Sequence, residues 1–96
     1  MEHRLHQRIQ THLAAVIHNH VPLKKIVVVR NLSPDGAFLE FEDGEGLPTS
    51  TGLTIEFTDA ALDGLRLGAL VVHATGRGIG VIFHHRSPRL AEYYGA

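Results

Sequence analysis

Apolar residues along this chain come in short alternating runs bounded by turn-forming residues. Residues 26–32 (IVVVRNL) are few and rich in β-branched side chains, which predicts a strand. Residues 37–42 (AFLEFE) alternate, placing Leu39 with Phe41 and Phe38 with Glu40, so that one face is the more apolar. Residues 53–57 (LTIEF) alternate cleanly. Residues 65–74 (LRLGALVVHA) and 78–84 (GIGVIFH) read as a hairpin joined through Thr75, Gly76 and Arg77. Between the first two runs, Ser33-Pro34-Asp35-Gly36 is a tight turn. Proline at its second position presets φ, and glycine at its fourth permits a left-handed conformation. Residues 9–20 are ambiguous. Leu5, Ile9, Leu13, Val16 and Ile17 recur at helical spacing, while Leu13, Ala15 and Ile17 alternate as in a strand, and periodicity alone leans to helix.

The ends of the chain differ in kind. Residues 1–8 are polar apart from Met1 and Leu5 and read as an exposed arm. Ser87-Pro88 is a helix-start signal, with Ser87 as N-cap and Pro88 in the first helical position, so a helical tail is expected over 87–96. A loop rich in Gly, Pro, Ser and Thr covers 43–52, and no internal repeat is evident. Five or six short strands with tight turns predict a small antiparallel β-barrel over 9–86, because closure removes exposed strand edges.

Composition narrows the class. Ninety-six residues make one small domain with a thin stability margin. The absence of cysteine rules out a disulfide framework and a thiolate metal site. No run approaches the roughly 18 apolar residues of a membrane span, and no signal-peptide core opens the chain, so a cytoplasmic protein without a membrane span is expected. A formal net charge of −1 argues against DNA or RNA as partners. An anion would have to be held by a few placed cations.

Two segments supply such a placement. Arg4-Leu5-His6-Gln7-Arg8 carries two arginines four positions apart, and Asn31-Leu32-Ser33-Pro34-Asp35-Gly36 closes an apolar run. Taken singly, the first is ordinary decoration of a solvated helix face. The second is an ordinary turn in which Asn31 and Ser33 bond local backbone. In this order they match RxxxR and (D/N)xSxxG. The chain thereby resembles the PilZ domains, bacterial receptors for cyclic di-GMP. The likeness extends to Gly78-Ile79-Gly80-Val81-Ile82-Phe83 and the terminal helix.

The resemblance implies a six-stranded antiparallel barrel, and makes residues 9–20 a strand. It also implies that Arg4 and Arg8 contact phosphate and guanine, and that Asn31, Ser33 and Gly36 line the base pocket. The chemistry suits those residue types. Arginine offers a planar fork for phosphate and for the O6/N7 edge of guanine. Asn31 can accept from the guanine donors, Ser33 can donate to a phosphate or a base nitrogen, and Gly36 allows close backbone approach. Three departures bear on affinity and number. His3 stands where relatives often carry another arginine, which leaves one or two ligands per protomer open. Asn31 replaces the commoner aspartate, at a cost of about 1 kcal/mol. His73 is the nearest candidate for the residue that stacks on guanine in many relatives, or is a half-exposed strand residue.

Other residues complete the picture. Arg30 precedes Asn31, so on a regular strand its side chain faces the other way, toward solvent, unless barrel curvature brings it to a phosphate. Arg77 reads as a surface charge, and Lys24-Lys25 as protection of a strand edge. Eight histidines, among them His18 and His20 on one strand face and the pair His84-His85, suggest either metal or a pH-sensitive surface, but no ligand signature such as HExxH accompanies them. There is no nucleophile elbow, Walker lysine or credible carboxylate pair, so no enzyme and no cofactor are expected. The reading is a bacterial second-messenger receptor of the kind tied to motility and biofilm formation. Its arm orders over cyclic di-GMP and changes the surface presented to a downstream protein, since the chain as read carries no output domain. The alternatives are a PilZ-fold adaptor for pilus or motility machinery that binds no nucleotide, and a histidine-rich metal-binding barrel.

Overall fold

The short β-rich runs pair edge to edge until the sheet closes. A computed structural model describes residues 9–19, 24–41 and 47–95. The arm 1–8 with His3, Arg4 and Arg8, residues 20–23, residues 42–46 and Ala96 lie outside the described residues. The strands are β1 (Ile9–His18), β2 (Lys24–Leu32), β3 (Gly36–Phe41), β4 (Gly52–Phe57), β5 (Arg66–Ala74) and β6 (Gly78–Phe83). All pairs are antiparallel, in the order β1-β2-β3-β6-β5-β4, and β4 returns to β1 to close the barrel.

The ambiguous N-terminal run is a strand. Extended, it turns Leu13, Ala15 and Ile17 inward, where they are buried. It also gives both neighbours a ladder: Ala15 lies opposite Val27 of β2 and opposite Phe57 of β4. A helix there would leave two strand edges unpaired, which outweighs a weak helical periodicity. The Lys25 ammonium lies 4.7 Å from the Phe41 ring centre.

Alternation fills the interior as expected. Ala37, Leu39 and Phe41 of β3, Leu53, Ile55 and Phe57 of β4, and Leu67, Ala69 and Val71 of β5 all point inward. The C-terminal helix α1 (Pro88–Gly95) begins at the predicted cap: the Ser87 Oγ accepts from the Leu90 N–H at 3.3 Å. Its buried Leu90 joins the core cluster together with Leu62 of a short 3₁₀ turn at Ala60–Leu62. That turn was not anticipated from the sequence. It is capped by Asp59, whose carboxylate accepts from the Ala61 N–H.

The structure also shows a repeat that the sequence analysis missed. The β2–β3 hairpin (27–41) and the β5–β6 hairpin (69–83) match position by position. In both, a serine or threonine closes the turn: Ser33 N–H donates to the Gly36 carbonyl, and Thr75 N–H to the Gly78 carbonyl, each at 2.9 Å. In both, the hydroxyl accepts from the second and third following N–H groups, at 3.1–3.2 Å. The two turns also hold each other's hairpin, through Phe83 N–H to the Asp35 carbonyl and Phe41 N–H to the Arg77 carbonyl. Across the β3–β6 ladder Gly36 pairs with Ile82 and Gly78 with Glu40, so the two hairpins are related by an approximate two-fold centred on Phe38 and Gly80. Conserved hydrogen-bonding roles, rather than identical residues, carry this repeat, and a search for residue identity passes over it.

Candidate functional site

The turn after β2 is built from its own side chains. Ser33 is buried, and its Oγ accepts hydrogen bonds from the Asp35 and Gly36 N–H groups, both at 3.2 Å. The hydroxyl proton points to the Gly36 carbonyl at 3.4 Å, a long contact. Its lone pairs thus hold the turn, while its proton is only weakly committed. Gly36 does not adopt the left-handed conformation that turn chemistry suggested; among the described residues only Ser50 and Gly64 have positive φ. The need for glycine is steric instead. A Cβ at Gly36 would overlap the backbone carbonyl of Val81 on β6, as one at Gly78 would overlap that of Leu39.

The expected placement of Arg30 and Asn31 on opposite faces is corrected by a β-bulge. The β2–β3 register runs Val29↔Leu39 and then Asn31↔Phe38, which leaves Arg30 as an extra residue. Val29 and Leu32 are both fully buried, so the two residues between them share the outer face. The second hairpin repeats the device. The register passes from Val71↔Val81 to His73↔Gly80, and the extra Val72 stands 48% exposed beside an exposed His73.

Two clefts flank this region. One, of about 280 Å³, lies between the 33–36 turn and the bulge of β5, walled by Phe38, Val72 and Ile82, with Ser33, Gly36 and His73 at its margins. Among the described residues, Val72 and Ile82 are two of the three exposed large apolar side chains. Asp35 also reaches this cleft, and its carboxylate is paired with Arg86 at 2.9 Å. The other cleft, of about 250 Å³, is lined by Gln10, Thr11 and His12 of β1 and by Arg30 and Asn31. Asn31 and Phe38 are direct cross-strand partners, so the two clefts adjoin. One is polar and carries a cation; the other sets apolar walls beside polar margins.

The structure therefore brings Asn31, Ser33, Gly36, Arg30 and His73 to one side of the barrel. Arg4, Arg8 and His3 lie outside the described residues. Their attachment point is nonetheless informative: Ile9, the next residue after Arg8, lies opposite Leu32, at the entrance to the 33–36 turn. Phe38, Val72, Ile82 and His12 were not singled out in the sequence. For Val72 a signal was present, since it stands three positions before Thr75 as Arg30 stands three before Ser33.

The histidines elsewhere serve local contacts. The His18 Nε2 lies 3.1 Å from the Glu56 carboxylate, which Arg66 also approaches at 3.3 Å. The hydrogen bond from His18, more than the charge of Arg66, holds the Glu56 carboxyl below its ordinary pKa. The imidazole of His84 covers Gly68, where a Cβ would come within 2.9 Å of its Cδ2. His20 lies outside the described residues, and among the described residues no group of three His, Cys, Asp or Glu is arranged to hold a metal ion. Nor is any helix among them long and apolar enough to cross a membrane.

No curated protein matches this chain. Comparison with protein families matches residues 2–94 to the PilZ domain, which takes in the barrel, both hairpin turns and most of α1. With nearly the whole length matched and a closed six-stranded barrel carrying the Asn31, Ser33 and Gly36 motif at its β2–β3 turn, the chain belongs to the PilZ domain family, whose members are cyclic di-GMP receptors and adaptors.

Proposed function

We propose that this PilZ domain binds cyclic di-GMP, without turning it over, on the face formed by the 33–36 turn and the two adjoining clefts. The observation that carries the reading is the juxtaposition of Asn31 and the Ser33–Gly36 turn with the apolar walls of Phe38, Val72 and Ile82. A purine needs a flat apolar surface together with acceptors for its N1–H and N2–H₂ donors. The larger cleft offers the surface, with His73 at its margin as a small stacking platform, and Asn31 offers the acceptor. The Ser33 proton, weakly held by the turn, is free to turn toward a phosphate oxygen.

The remaining charge is supplied by the arm. One peptide step spans ~3.8 Å, and Ile9 is seated opposite Leu32, so chain connectivity keeps Arg8 within reach of the turn. Arg4 and Arg8 close over the nucleotide by phosphate and guanine contacts, and a protein partner reads the surface so formed. Ordering the arm subtracts from affinity, which sets the dissociation constant at about micromolar. Calorimetric titration with cyclic di-GMP tests the reading. Saturable heat is expected, with Arg8→Ala weakening binding about tenfold or more. Folded protein that gives no heat at high micromolar ligand would refute it.

A further inference from the structure

The polar cleft contains a contact that the ligand motif does not explain. The Arg30 Nη1 lies 3.0 Å from the Nδ1 of His12 and 4.0 Å from a carboxylate oxygen of Glu40. One guanidinium nitrogen is thus shared across three strands, between β1 and β3. All three groups are outward-facing, and Arg30 is 45% exposed. An arginine can only donate, so the His12 Nδ1 must be the acceptor and its proton must reside on Nε2. The contact therefore exists only with a neutral imidazole. A protonated His12 presents an N–H to the guanidinium and places two cations about 3 Å apart, so the pair must separate.

Resting on the reading above, we propose that Arg30 is a third cationic contact to the bound dianion and that His12 is its positioning residue, tethering it when neutral and releasing it when protonated. The β2 bulge makes this possible, because it turns Arg30 to the same outer face and into the same cleft as Asn31. Neutral His12 and Glu40 hold the guanidinium over the barrel wall, away from the adjoining apolar-walled cleft. Protonation removes one tether and adds a second positive charge beside Asn31. The remaining tether, Glu40, is an exposed pair that a phosphodiester displaces at little cost. Among the described residues, Arg30 of β2 touches His12 with Glu40 of β3 beyond it, and on the other side of β1 the segment after β4 brings Asp59, whose N–H donates to the Ala14 carbonyl and whose carboxylate accepts from the Ala61 N–H. A phosphodiester itself does not titrate near neutrality, so the change in affinity originates in the protein. Lower pH favours the protonated imidazole, so affinity for the nucleotide rises as pH falls.

The test is calorimetric titration of the full chain with cyclic di-GMP at pH 8 and pH 6 and at two salt concentrations, with melting temperatures confirming that each variant is folded. Wild type is expected to bind about threefold to tenfold more tightly at pH 6. His12→Asn places an amide oxygen near the Nδ1 position, so it keeps the acceptor but cannot titrate. It should retain the pH 8 affinity and lose most of the gain at pH 6. His73→Asn, in the neighbouring cleft, should keep the gain. Arg30→Gln should weaken binding and flatten its salt dependence, and Arg30→Lys should restore the salt dependence. If Arg8→Ala weakens binding while Arg30→Gln leaves affinity and salt dependence as in wild type, the role of Arg30 is refuted and nucleotide binding stands. If His12→Asn keeps the full pH response, the role of His12 is refuted. If wild type does not bind at all, both this proposal and the reading it rests on fall.

Discussion

Gly36 can be explained in two ways, and a matched pair of substitutions separates them. As part of the ligand motif it would be glycine so that a nucleotide can approach the backbone. The structure provides a different reason, because a Cβ there would overlap the Val81 carbonyl on β6. Gly78 is the internal control. It meets the Leu39 carbonyl in the same way at the other end of the same ladder, and the cleft beside the 33–36 turn does not include it. Both clashes are with backbone atoms, which cannot rotate aside as a side chain would. Relief requires β3 and β6 to separate, stretching ladder hydrogen bonds in a closed barrel. Overpacking costs about 1–3 kcal/mol, and with no flexible partner the upper part of that range is expected, about 2–3 kcal/mol. For a domain of this length the total is about 5–14 kcal/mol, so the loss is large. At about 4–8 °C per kcal/mol it lowers the melting temperature by roughly 10–20 °C. Gly36→Ala and Gly78→Ala should therefore destabilise by similar amounts in urea unfolding, with unchanged m-values. If Gly36→Ala kept the wild-type midpoint and lost only nucleotide binding, the steric argument would be wrong and ligand approach would be the reason for the glycine.

Three further outcomes follow from the same geometry. Ser33→Ala leaves the Asp35 and Gly36 N–H groups without their side-chain acceptor and should cost about 1–2 kcal/mol in chemical denaturation, whereas Ser33→Thr should recover most of it because Thr75 makes the same bonds in the second hairpin. Asn31→Asp supplies two acceptor oxygens in place of one and should tighten cyclic di-GMP binding by about fivefold, read by calorimetry; weaker binding would show that Asn31 does not face the guanine donors. The carboxyl of Glu56 titrates below its ordinary range in the folded protein, so its contribution is present above the unfolded-state pKa and disappears as pH falls through the lower folded-state value. Wild type should therefore melt above Glu56→Gln at pH 7, and the difference should vanish once the pH lies below the lowered folded-state value; a difference independent of pH would rule out the ionic account.

Much of the barrel was legible from local chemistry. A run of β-branched residues marked β2, a hairpin pattern about Thr75-Gly76-Arg77 marked β5 and β6, and alternation in β3 and β4 assigned the inward side chains that are buried. The Ser87-Pro88 pair marked the start of α1. The N-terminal run was not legible by itself, because its apolar residues suit both periods. Only pairing to β2 and β4 makes the strand the better state. The site was legible to the same depth. Asn31, Ser33 and Gly36 could be singled out as a motif, but the reason for Gly36 lies in a strand distant in sequence. The cleft wall of Phe38, Val72 and Ile82 comes from three different strands.

The two bulges mark the boundary between these kinds of information. Strict alternation assigns Arg30 and Asn31 to opposite faces, and Val72 and His73 likewise, because a strand has a period of two. The register shifts at Val29/Asn31 and Val71/His73 add one residue to each hairpin and cancel that alternation. Sequence by itself determined which residues can pair, turn, cap and bind an anion, since those are properties of side-chain shape and charge acting over a few neighbours. The tertiary structure decided which of them share a face, why Gly36 and Gly78 admit no side chain, and that Arg30 is shared between His12 and Glu40. Those depend on the register between strands, which is fixed only when the whole ring of six closes.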